Sequence, residues 1–205
     1  MKFSMHSAVW TSLGDCMRSL ILAGGRSSRM GVDKALMEID GVTCINRVAI
    51  ALAEAGLEPI RVAVASAEHI ERYGEQMDES LQVEWVVDSF PHSGPIEAIV
   101  EALNDPLCGN TLQLAPVDVP WLESGLLSDL EREIGEEPLA IPFSEGRWHP
   151  LLALVRPEVA GLIGGDRRPL HVQMTEIRHS VVEALSLIHI SEPCLLYTSP
   201  SPRDA

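Results

Sequence analysis

The chain has 205 residues, 46% of them hydrophobic and 22% charged, which is enough apolar material for one sizeable packed domain. A formal net charge of −15 argues against nucleic acid or an anionic membrane as a general partner, yet leaves room for a small anionic ligand wherever positive charge is gathered locally. No apolar run approaches the ~20 residues that cross a bilayer, and residues 1–15 lack the continuous apolar stretch of a signal peptide. Cys16, Cys44, Cys108 and Cys194 form no C-x-x-C pair and read as free thiols of a reducing compartment, so the expected location is cytoplasmic.

In chain order, residues 1–16 have weak periodicity and read as a disordered extension, with Met17 as the expected true start because a strand follows at once. Residues 17–185 read as one domain. Strands are predicted at 20–23, 60–65, 83–87, 111–115, 139–142 and 151–155, mostly dense in Val, Ile and Leu, as strands covered on both faces should be. Helices are predicted between them at 45–55, 67–73, 96–103, 122–134 and 157–163. In the first, Val48, Leu52 and Ala55 share one face and Gly56 stops the helix. This alternation predicts an α/β fold: a mostly parallel sheet with right-handed crossovers and helices on both faces. Glu145-Gly146, between two apolar stretches, predicts a hairpin turn and one antiparallel strand. No internal repeat is present. Residues 186–205, S-L-I-H-I-S-E-P-C-L-L-Y-T-S-P-S-P-R-D-A, carry three prolines and no period that fits the body. They resemble translated sequencing-adapter DNA and are set aside as a non-native or disordered tail.

The chemistry is concentrated in residues 22–34, L-A-G-G-R-S-S-R-M-G-V-D-K, directly after the first predicted strand. Three glycines there let backbone N–H groups approach a polyphosphate, and Arg26, Arg29 and Lys34 would neutralise its charge. Lys34 is one of only two lysines in the chain, the other being Lys2. The run is neither a Walker A loop nor G-x-G-x-x-G, and a glycine pair by itself is as often a structural turn. Asp118 follows an apolar strand and precedes a proline. It reads either as a Mg²⁺ ligand in the crevice at the carboxyl ends of parallel strands or as a cap of the following helix. Asp88, also at a strand end, reads either as a ligand contact or as a turn former.

The string of residues 22–34 resembles the L-A-G-G-x-S-x-R-M-G-x-D-K signature of the molybdenum cofactor guanylyltransferase (MobA-like) family. Further segments match in order: Val87-Asp88-Ser89, Ser93-Gly94-Pro95-Ile96, Ala115-Pro116-Val117-Asp118-Val119-Pro120, His149-Pro150 running into Ala153-Leu154-Val155, and Gly165-Asp166-Arg167-Arg168. The resemblance covers residues 17–174. It implies a Rossmann-like three-layer nucleotidyltransferase fold and transfer of GMP from GTP to the phosphate of the molybdenum-bearing pterin cofactor, with release of pyrophosphate. Catalytic roles fall on Lys34, Arg29 and Asp118. Nucleotide contacts fall on Leu22, Ala23, Gly24, Gly25, Arg26, Lys34, Asp88, Gly94, Pro95 and Asp118. Asp118 holds Mg²⁺, and Arg167 and Arg168 are candidates for the acceptor phosphate, with a solvated surface pair as the alternative.

Relatives that use CTP carry alanine at the position of Gly25, so the resemblance favours guanine. Two departures stand out. Ala65-Ser66-Ala67 occupies the stretch where the family often places a base-contacting asparagine, and the terminal N-x-N-T-P element is absent from this sequence. A related transferase using CTP or another phosphorylated acceptor such as a cobinamide, and a nucleotide-binding protein without turnover, are the alternative functions. The implied partners are GTP and a molybdopterin-type cofactor. A molybdoenzyme or chaperone partner is left open. His149 is expected to be a buried, hydrogen-bonded histidine rather than a catalytic one. Trp10, Trp85, Trp121 and Trp148 are expected in the core or at its rim, and Glu131, Glu133, Glu136 and Glu137 at a solvated helix end.

Overall fold

The computed structural model describes residues 16–24, 33–90, 94–165 and 168–184. The N-terminal extension and the tail at 186–205 lie outside them. Ten strands and six α-helices are found among the described residues. In chain order they are β1 (Met17–Leu22), β2 (Glu38–Ile39), β3 (Val42–Thr43), α1 (Cys44–Glu54), β4 (Ile60–Val64), α2 (Ala67–Gly74), β5 (Val83–Val87), α3 (Pro95–Leu103) and β6 (Cys108–Pro116). They continue as α4 (Ser124–Glu133), β7 (Leu139–Ser144), β8 (Arg147–Trp148), β9 (Leu154–Val155), α5 (Ala160–Ile163), α6 (Leu170–Glu176) and β10 (His179–Glu183).

The main sheet runs β10-β7-β9-β6-β1-β4-β5, with β8 paired to β7. Neighbours in β6-β1-β4-β5 are parallel, as are β7 and β10. Only the short β8 and β9 are antiparallel within this sheet. The Rossmann-like, mostly parallel architecture expected from the sequence is the one observed. Strand periodicity explains the two-sided burial. Neighbouring residues Leu20 and Ile21 are both fully buried, but in different cores. Ile21 packs with Ile45, Val48 and Leu52 of α1 and with Leu127 and Leu130 of α4. Leu20 packs with Ile99 and Leu103 of α3, Ile163 of α5 and Met174 of α6. Each such residue contributes about 1.5–3 kcal/mol by leaving water.

Several boundaries differ from expectation for local reasons. β1 begins at Met17, three residues early, because the buried Met17 donates its N–H to the Leu107 carbonyl at 2.7 Å. The strand predicted at 151–155 is confined to Leu154–Val155. Pro150 instead opens a 3-10 turn, Pro150–Leu152, since its fixed φ suits a turn and it lacks a ladder donor. The helix predicted at 157–163 is likewise a 3-10 turn, Pro157–Val159, running into α5. The hairpin at Glu145-Gly146 is present, with φ of 49° and 76° as a two-residue turn of the primed type requires. The β2–β3 hairpin, α6 and β10 carried too little periodicity to be predicted.

One buried charge interrupts the apolar strands. Arg61 of β4 is 6% exposed, and its guanidinium meets Glu84 of β5 at 2.7 Å and Asp105 after α3 at 2.8 Å. Burial alone would lower its pKa, but the bonds to Glu84 and Asp105 outweigh this and raise it. Arg61→Met leaves two half-buried carboxylates facing each other without a cation. The expected cost is about 2 kcal/mol by urea denaturation, below the ~3–5 kcal/mol of a fully enclosed pair because both carboxylates keep some water. An unchanged midpoint would show that the triad is screened and contributes nothing.

Candidate functional site

The parallel register decides what meets at one edge of the sheet. Leu22, the last residue of β1, is level with Pro116 of β6 and with Ala63 of β4, and Val64 is level with Val87 of β5. The segments leaving these strands therefore emerge together. Ala23 is tied back to the Ala63 carbonyl at 2.9 Å, and the Asp88 N–H to the Val64 carbonyl at 2.8 Å. Between them opens a cavity of about 390 Å³. Its wall includes Leu22, Ala23, Gly24, Lys34, Asp88, Gly94, Pro95 and Asp118, each of which the sequence had marked for nucleotide contact. Gly25, Arg26, Arg29 and Arg167 lie outside the described residues.

Lys34 opens a 3-10 turn, Lys34–Leu36, whose N-cap is Asp33: the Ala35 N–H donates to Asp33 Oδ1 at 3.2 Å. Lys34 Nζ lies 3.0 Å from Asp118 Oδ2. Both side chains are nearly half exposed, 44% and 49%. A pair so solvated contributes about 1 kcal/mol or less, so it does little to hold the fold and is easily reorganised by a ligand. Asp118 does not cap a helix. α4 begins only at Ser124, and its N-cap position is Glu123.

The turn reading of Asp88 is observed, and its second oxygen is left on the cavity wall. Oδ1 accepts the Phe90 N–H at 2.8 Å and closes a turn. Oδ2 faces the backbone at Gly24, 3.8 Å from where a Cβ on that glycine would sit. Gly94 adopts φ of 102°, a region open to glycine, and Pro95 follows at the first helical position. This sets the start of α3, the positive end of its dipole, at the cavity wall, with Glu97 in the same first turn.

Other candidates fall elsewhere. His149 is half-buried, with Nε2 bonded to the Ser144 hydroxyl at 2.8 Å, and it does not line the cavity. Burial, with the nearby Arg147 charge, pushes its pKa below the ordinary histidine value. Trp148 packs against Phe143 and meets His179 edge-on. Arg168 pairs with Glu176 at 2.7 Å and is not part of the cavity wall. Glu137 is less solvated than expected, since it is gripped by Arg178 at 2.6 Å.

The sequence reading gave no site role to Asp33, Ala35, Ala63, Ala98, Pro116, Val117 and Leu151, all of them in the wall. It also missed the grip on Asp33, which receives Tyr73 Oη at 2.9 and 3.1 Å and Arg72 at 3.4 Å. The signal for Asp33 was its place in the signature string, directly before Lys34. Among the described residues, no group of three or more His, Cys, Asp or Glu is placed to hold a metal, and no helix is long and apolar enough to cross a membrane.

Comparison with known proteins gives a consistent picture. The profile of the MobA-like NTP transferase domain matches residues 19–172. A probable molybdenum cofactor guanylyltransferase of Natronomonas pharaonis is 30% identical over 176 residues, covering 82% of this chain and 85% of that protein. One of Opitutus terrae is 32% identical over 136 residues, 65% of this chain, and the match spans 63% of that protein's own length. A solved nucleotidyl transferase from Methanothermobacter shares the fold, with a TM-score of 0.70, 19% identity, and coverage of 86% and 91% of the two chains. A domain match over most of the sequence, laid on this sheet and this cavity, means that the chain belongs to the MobA-like family of NTP transferases.

Proposed function

We propose that this nucleotidyltransferase transfers GMP from GTP to the terminal phosphate of the molybdenum-bearing pterin cofactor, forming the guanine dinucleotide and pyrophosphate. The observation that carries the reading is Lys34 Nζ set 3.0 Å from Asp118 on a cavity that also presents Asp88 and the start of α3. The names of relatives at about 30% identity supply the substrates. A volume of about 390 Å³ is within the ~300–1,000 Å³ of small-ligand pockets.

In this reading the backbone at Ala23 and Gly24 and the amides opening α3 receive the phosphates. An oxygen of the acceptor phosphate attacks the α-phosphorus in line. The bond from that phosphorus to the bridging oxygen breaks, and the electron pair leaves with pyrophosphate. Lys34 stabilises the charge that develops on the transferring and leaving groups, which is electrostatic work that needs no covalent side chain. Asp118 would hold Mg²⁺, with Asp88 as a second carboxylate elsewhere on the same cavity wall. Two carboxylates at the wall suit an ion that takes one or two of them and fills its remaining positions with phosphate oxygens and water. Bound there, Mg²⁺ supplies further neutralisation of the phosphates. Free thiols at Cys16, Cys44 and Cys108 agree with work in the cytoplasm.

Lys34→Ala is expected to lower kcat for pyrophosphate release by ~10²-fold or more, the range for losing one preorganised charge donor. Near-normal turnover would remove Lys34 from the mechanism. The base and acceptor are tested together by measuring Mg²⁺-dependent pyrophosphate release from GTP and from CTP, with and without molybdenum-loaded pterin. Release is expected with GTP only and with acceptor only. Release from CTP alone would overturn the base, and GTP binding without release would favour a nucleotide-binding protein.

A further inference from the structure

Tyr73 is one of two tyrosines in the chain and is 2% exposed, in the core cluster that also holds residues of α1, β4 and α4. A buried tyrosine needs a partner for its hydroxyl. Here the partner is Asp33, forty positions earlier, reached at both carboxylate oxygens. That carboxylate has two attachments. It caps the turn that Lys34 opens, and it is tied through Tyr73 and Arg72 to the end of α2. The tyrosine is itself fixed, its ring 5.2 Å from that of His69 one turn earlier, and His69 is bonded to Ser66 at 2.8 Å.

Lys34 needs such support. Its side chain is nearly half exposed, so little packing holds it, and a long lysine gives up considerable rotamer entropy to keep one position. Anchoring its backbone narrows the volume that Nζ explores and keeps Asp118 within reach. We propose that Tyr73 is a positioning residue for nucleotidyl transfer: by clamping Asp33 to α2 it fixes the turn that carries Lys34. Tyr73 is not in the cavity wall and touches no substrate. Burial, and then the bond to Asp33, raise its pKa, so the hydroxyl remains a donor at working pH. The inference rests on the transfer reading for its kinetic part only.

The scarcity of lysine supplies a direct probe. In ¹³C-lysine-labelled protein only Lys2 and Lys34 give side-chain signals, and Lys2→Arg assigns them. Tyr73→Phe keeps the ring and removes the hydroxyl. The Lys34 resonance is expected to move toward its position in Asp118→Asn while that of Lys2 stays, with thermal melting checking that the fold persists. The kcat for pyrophosphate release should fall about 10-fold with KM for GTP nearly unchanged, short of the ~10²-fold that a full ångström of misplacement can cost.

Tyr73→4-aminophenylalanine, which restores a donor, should return both readouts toward the parent and covers a failure of the phenylalanine variant to fold. A Lys34 resonance indifferent to loss of the hydroxyl would overturn the proposal, as would an unchanged kcat. A shifted resonance in a protein that releases no pyrophosphate in any form would leave the positioning role standing and sink the transfer reading instead.

Discussion

The parallel register of β6, β1, β4 and β5 is the constraint on which everything else depends. Strands running the same way finish at the same edge, so the segments after Leu22, Val87 and Pro116 are delivered to one place although they are far apart in sequence. The arrangement has a structural cost. Each parallel neighbour must be reached by a crossover, and the crossovers cover both faces, which is why β1 and β4 are buried almost throughout. Ligand sites at the carboxyl ends of such sheets follow from this geometry rather than from any special property of the loops.

Electrostatics then separates residues that look alike on paper. Arg61 and Lys34 are both cations bonded to carboxylates at 3.0 Å or less. Arg61 is almost wholly buried near the start of β4, where unpaired charge is costly, so its partners belong to the fold. Lys34 is nearly half exposed at the opposite end of the sheet, where its bond to Asp118 is worth little. A weak pair suits the proposed transfer, in which the lysine of a chain of net charge −15 turns from Asp118 to a more highly charged ligand. The opening turn of α3 adds positive potential there without adding a side-chain charge.

Much of this was legible in the sequence because the signals were local. β5 was located to the residue since its Val-rich run is bounded by polar residues on both sides. Glu145-Gly146 announced a hairpin through turn chemistry alone, and the helix predicted at 96–103 begins one residue earlier, at Pro95. The choice between cap and ligand at Asp118 could not be made from sequence. It depends on α4 starting six residues later, at Ser124, and Pro120 had pointed to an earlier start. Arg168 reads either as a contact for the acceptor phosphate or as a solvated surface residue, and its pairing with Glu176 of α6, eight positions on, had no sequence signal. The clamp on Asp33 had no sequence signal, because Tyr73 reads as an ordinary core residue of α2 until the fold brings the two together.

Two glycines illustrate how fold and site make separate demands on the same residue type. At Gly109, at the end of β6 away from the cavity, a Cβ would sit 3.2 Å from the Met17 carbonyl oxygen, next to the point where the β1–β6 register shifts. That is tighter than most side-chain contacts, so a larger residue there would need the β1–β6 backbone to give by a few tenths of an ångström. At Gly24 a Cβ would meet only ordinary contacts, at 3.7–3.9 Å from Ala65, Asp88 and Val64. Among the described residues nothing in the fold forbids alanine at that position. What glycine leaves there is bare backbone near Asp88 Oδ2 on the cavity wall. The glycine that packing crowds lies at the far end of β6, and the glycine that packing leaves free lies on the cavity wall.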